Sequence, residues 1–221
     1  MIMNLIDEAL TEHQFKKVLE VENTYFYKRE IDQEIRFAIL HKLKMLFTPK
    51  ELHGFINQLT PEEFASNPSF KKNCDLICVY NFKNLSDFKI YEEKIFALEE
   101  DPHYFKKYVL YYSDAEENAL KNKTYSDLMK IIENKQLFNE YKDQPLAPTE
   151  YSVATKIFIK LPFLKLPFKK RELVPLRLQA ESAVSEIGLS EIYEKIQKLD
   201  KKNLDDLIKG MISDELANNQ N

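Results

Sequence analysis

Three residues carry the arrangement most suggestive of chemistry. Asp75, followed by Glu92 and Lys94 in the run Tyr91-Glu92-Glu93-Lys94, matches the order acid, then Glu-x-Lys, of metal-dependent nucleases. In such sites the carboxylates hold a divalent cation and the lysine orients or stabilises the attacked phosphate. The chemistry favours adjacent strands, whereas the periodicity of residues 87–99 predicts a helix. Glu-x-Lys also arises by chance in a chain that is 31% charged. A divergent nuclease is thus one alternative reading. Other catalytic sets lack parts. His13, His41, His53 and His103 are scattered, and neither His-x-x-x-His nor a Gly-x-Ser-x-Gly elbow occurs. Gly54, Gly188 and Gly210 lie too far apart for a phosphate-cradling loop. Cys74 and Cys78 are one residue too widely spaced for a Cys-x-x-Cys redox pair. They sit in an apolar run, which predicts buried free thiols suited to a reducing cytoplasm. The residues themselves therefore predict no enzyme, and neither a metal nor another cofactor.

A different chemistry is offered by KIFIKLPFLKLPFKKREL, residues 156–173, in which KLPF occurs twice. From Lys156 to Arg177 there are seven basic residues and one acid, in a chain of net charge −4. Pro162, Pro167 and Pro175 forbid a long regular helix. Phe158, Phe163 and Phe168 interleave with the lysines, a pattern that suits single-stranded nucleic acid through phosphate contacts and stacking. It equally suits docking on an acidic partner, or a solvated loop whose apolar residues pack on the core. Lys160, Lys165, Lys169, Lys170 and Arg171 are the contact candidates here. The overall negative charge argues against a dedicated nucleic-acid binder.

The elements that must position these residues follow from pattern. The acidic N-terminus, MIMNLIDEALTEHQF, has no basic segment of the signal-peptide kind. No apolar run approaches the roughly 20 residues of a membrane span. Residues 14–31 predict two short strands about a Glu-Asn-Thr turn. Ile31, Ile35, Ile39, Leu43 and Leu46 are spaced for a helix over 31–47. Thr48-Pro49-Lys50-Glu51 and Thr60-Pro61-Glu62-Glu63 read as two matching helix starts. CDLICVYNF, 74–82, predicts a buried strand, and 87–99 a helix ending before Pro102. Tyr104 to Tyr112 is too aromatic for a good helix and predicts a strand. Tyr104, Lys106, Tyr108, Leu110 and Tyr112 would share one face, and Phe105, Lys107, Val109 and Tyr111 the other. Each lysine would lay its stem on apolar surface and keep its head in water. Ser113-Asp114-Ala115-Glu116 opens the next helix as a capping box. Helix is also predicted over 124–142 and 180–216, with a second apolar stripe at Leu204, Leu207, Ile208, Met211 and Ile212. The Pro-containing QPLAPTEY, 144–151, marks the expected domain boundary.

The segment ALEEDPHYFKKYVLYYSDAEENAL, 97–120, resembles a signature of the middle component of ABC-three-component systems, a bacterial group overlapping the Lamassu-type anti-phage operons. The resemblance rests on Asp101-Pro102, the run from Tyr104 to Val109, and Ser113 with Glu116 and Glu117, preceded by the strand NCDLICVYNF. It is general over 1–145 and does not reach the C-terminal quarter. It implies a non-enzymatic accessory subunit acting with an SMC- or Rad50-like coiled-coil ATPase and an effector such as a nuclease. That subunit would hold the effector quiet until the complex senses foreign DNA.

The expectation is an α+β protein: a mixed α/β part with a small sheet over 1–145, then a basic Pro-containing crossing and C-terminal helices over 146–221. It is expected to be a cytoplasmic, non-catalytic subunit of a defence complex, with no membrane partner. Tyr104, Lys106 and Lys107 join the five basic candidates as partner or DNA contacts, the two lysines on an interface rim. A DNA-contacting module built on 156–177 is the first alternative.

Overall fold

The structure is a computed structural model that describes residues 1–32, 34–167, 175–197, 208–210, 212 and 213. The chain divides into two compact units, Met1–Phe168 and Lys169–Asn221.

The first unit is built on a five-stranded sheet in the order β1-β2-β3-β4-β5. The helix α1 (Ile2–Glu12) precedes the hairpin β1 (Lys16–Val21) and β2 (Thr24–Ile31). Glu22 and Asn23 both take positive φ, as a two-residue turn matched to strand twist requires. β3 (Glu34–Lys42) pairs antiparallel with β2, then parallel with β4 (Cys74–Phe82), which pairs parallel with β5 (Lys106–Ser113). The parallel pairs need crossovers. They are α2 (Pro49–Leu59) with the single turn α3 (Glu62–Ala65), and α4 (Phe88–Glu99). Both bury apolar residues on one sheet face, with Phe26, Phe37, Ile39, Cys78 and Val109. The other face, with Tyr27, Leu40, Ile77 and Tyr112, is covered by α1, α6 (Tyr125–Glu133) and α8 (Glu150–Lys160). Between them run α5 (Asp114–Ala119) and α7 (Lys135–Asp143). α8 packs on β5, α5, α6 and α7, so the crossing at 144–149 leads back onto the sheet. The α+β class stands as expected.

Several elements follow their sequence signals. Thr48 accepts from the Glu51 N–H while Glu51 accepts from the Thr48 N–H, a complete capping box, and Ser113 with Glu116 forms another. Cys74 and Cys78 are buried and free. Burial pushes the Cys78 thiol up to about 12, so it stays protonated and inert at neutral pH.

Within this unit, four expectations about its elements are corrected. Residues 34–42 are strand rather than helix. Residues spaced by four also share a strand face, and β3 is buried on both faces from Phe37 to His41, which erases the alternation that would mark it. Thr60 closes α2 by donating its hydroxyl to the Ile56 carbonyl, and Pro61 caps the short α3 instead. The helix expected over 124–142 is two helices. Asn134 ends α6 and its side chain accepts from Gln136 and Leu137 N–H to start α7. Tyr104 lies before β5, with φ of 69°.

The second unit contains α9 (Leu176–Glu186) and α10 (Ser190–Gln197). Gly188, at φ 73°, breaks what the sequence predicts as one helix. Most of the second apolar stripe lies outside the described residues; Ile208 and Ile212 are helical and exposed. Among the described residues, no helix is long and apolar enough to cross a membrane.

Candidate interaction site at the edge strand

β5 is an edge of the sheet, and the segment that brackets it turns acids inward onto lysines. The Lys107 side chain is 1% exposed rather than reaching water. Its ammonium donates to Asp101 Oδ2 at 2.7 Å, His103 O at 2.6 Å, Phe105 O at 3.2 Å and Asp101 O at 3.3 Å. The loop from Asp101 to Phe105 is therefore folded around one buried cation, which satisfies the rule that a buried charge must be paired and hydrogen-bonded. Burial works to raise the Asp101 pKa, but the Lys107 hydrogen bond and charge, with the His103 N–H, bring it below the usual carboxylate value. Lys107 thus lies inside the fold rather than on a rim.

Two further pairs tie this segment to α8. Glu116 is fully buried, and its carboxylate accepts from the Ser113 N–H at 3.0 Å, Ser152 Oγ at 2.9 Å and Lys156 Nζ at 2.7 Å. Glu99, at the end of α4, accepts from the Val109 N–H at 2.8 Å, and Lys160 bonds both of its oxygens. The Glu99 side chain thereby occupies a donor on the open side of β5. Lys156 also stands 5.2 Å over the Tyr111 ring.

The candidates are thus separated by the fold. Lys106 and Lys165 are exposed, while Lys107 and Lys160 are committed to internal carboxylates. Phe163 is buried against His13 and Phe15. Lys169, Lys170, Arg171 and Phe168 lie outside the described residues. Tyr104 is 52% exposed, with its ring against His53 and Lys71 5.8 Å from its centroid. Its left-handed backbone costs a bulky residue about 1–3 kcal/mol. His53 Nδ1 is buried without a partner.

Asp75 and Glu92 hold separate partners on separate elements. Asp75 begins β4 opposite Lys106 and binds Arg36 at 3.0 Å. Glu92 pairs with Lys89 one turn away on α4. Sequence reasoning missed Glu99 and Arg36, and the pairing of Glu116 with Lys156, because these partners lie 61, 39 and 40 residues apart, beyond any local pattern. The only local cue is an acid inside an otherwise apolar run, as with Asp75 in CDLIC.

No curated protein and no solved structure matches this chain. The family model of the ABC-three component (ABC-3C) system Middle Component 1 matches residues 33–140, a span holding β3, β4, β5 and the whole Lys107 cage. Over those residues, just under half of the chain, it is similar to the ABC-three component system Middle Component 1 family.

Proposed function

We propose that the chain is a non-catalytic accessory subunit of a bacterial anti-phage or anti-plasmid complex of the Lamassu type. It bridges an SMC- or Rad50-like ATPase and an effector such as a nuclease, and holds the effector inactive until foreign DNA is sensed. The observation carrying this reading is the family match over 33–140, and within it the segment 97–120 is spent on internal pairing. Glu99, Asp101 and Glu116 each hold a lysine, so these charged groups build a rigid edge. What that edge leaves exposed is Tyr104 and Lys106, an aromatic beside a cation. Exposed aromatics are the anchors that interfaces bury, and lysines belong on their rims.

The test is expression of this gene, tagged, together with its neighbours, followed by gentle purification and mass spectrometry. A large coiled-coil ATPase co-eluting in constant ratio is the expected result. A solitary protein, with the neighbours expressed but unbound, would overturn the reading.

A further inference from the structure

At the start of β3, β4 and β5 lies a cavity of about 500 Å³ that shares only Lys106 with the proposed contact edge. Its size is that of a small-ligand site. Three cations reach it from three places: Arg36 from β3, Lys72 from the loop before β4, and Lys106 from β5. The ammonium groups of Lys72 and Lys106 make no hydrogen bond or ion pair with any described residue. Arg36 is held by Asp75, whose side chain is 4% exposed, through one Nη only. A buried carboxylate thus fixes the guanidinium and leaves its other N–H groups for something else. Glu34 also lines the cavity, so the wall carries three cations against two carboxylates.

A neighbouring cavity of about 320 Å³ shares Lys106 and is lined by Tyr104, with Glu100 and with Glu99 and Asp101, which hold Lys160 and Lys107. Lys71, next in sequence to Lys72, stands at the Tyr104 ring. An exposed aromatic held by a strained backbone therefore adjoins the cationic cavity. Donors converging from three directions suit a tetrahedral oxyanion better than a planar carboxylate, and the aromatic face suits a base.

We propose that these adjoining cavities bind one nucleotide unit, its phosphate on Arg36, Lys72 and Lys106 and its base stacked on Tyr104. The unit is supplied either by a free mononucleotide or by a single strand. Asp75 is a positioning residue that holds Arg36.

The experiment titrates the purified full chain, at low salt, with a nucleoside monophosphate by calorimetry and with a fluorescent single-stranded oligonucleotide by anisotropy. Binding of at least one probe is expected. Lys72→Ala with Lys106→Ala should weaken it at least ten-fold, and Tyr104→Ala at least three-fold, while thermal melting stays nearly unchanged because both lysines are exposed and make no hydrogen bond or ion pair among the described residues. Lys72→Arg with Lys106→Arg should retain it. Equal use of both probes assigns the site to free nucleotide; oligonucleotide binding alone, falling with salt, assigns it to a strand. The proposal is overturned if neither probe binds the unaltered protein. It is equally overturned if binding survives the double alanine variant but is lost on charge reversal of Lys169, Lys170 and Arg171.

Discussion

Lys107 shows how much one side chain can organise. Its ammonium collects three backbone carbonyls and the Asp101 carboxylate, so replacing it strands all four at once. Lys107→Met should destabilise the protein by about 3 kcal/mol, seen as a lower urea midpoint at unchanged m-value. A loss below about 1 kcal/mol would show that the cage contributes little. His41 makes the pH counterpart. It is buried on β3 with Nδ1 2.8 Å from Thr24 Oγ1, and burial lowers its pKa to about 4. A histidine with a folded pKa below its unfolded value, about 6.5, takes up its proton more readily when unfolded. The stability it contributes is thus present above about pH 6.5 and lost as pH falls toward 4, to the extent of about 3 kcal/mol. Unfolding curves at pH 7 and pH 4.5, compared with His41→Leu, should show the larger acid loss in the unaltered protein. None of these partnerships has a sequence signature, because burial of a lysine or a histidine depends on residues brought in by the fold.

Between residues and molecule, the unit that matters is β5 with its two helical neighbours. α4 and α8 are joined across the edge strand by Glu99 and Lys160, while α5 and α8 are joined by Glu116 and Lys156. Glu116→Gln keeps the shape but removes the charge that Lys156 faces. It should cost about 2–3 kcal/mol in chemical denaturation, with part recovered by adding Lys156→Met. Additive losses in the two substitutions would sink the coupling. The same scale shows what the sequence could disclose. Capping boxes at Thr48 and Ser113 were legible because both partners lie within one turn. The alternation of β5 was legible because its two faces enter different cores, Leu110 and Tyr112 in one and Phe105 and Val109 in the other. β3 was not, since the spacing of Ile35, Ile39 and Leu43 fits a strand face as well as a helix stripe. The basic run from Lys156 promised a charged surface, yet Lys156 and Lys160 are spent inside the unit.

For the whole molecule, the basic run from Lys165 to Arg171 is where the proposed assembly can be tested. Charge reversal at Lys169, Lys170 and Arg171 should reduce recovery of the ATPase partner several-fold in the co-purification, with an unchanged melting temperature. Recovery equal to that of the unaltered chain, with unchanged salt-dependent DNA binding, would remove that segment from the interface. The Glu99 bond to Val109 also decides how these molecules behave when crowded. A strand arriving beside β5 would present carbonyls to a carboxylate where it needs an N–H, and would be repelled. At the opposite rim β1 is kinked by a register shift between Lys17 and Leu19, and Lys16 and Lys17 are exposed. With one rim plugged and the other bent and charged, neither offers a flat template. Among the described residues, neither rim of this aromatic-rich sheet therefore gives concentrated chains an easy start for pairing edge to edge.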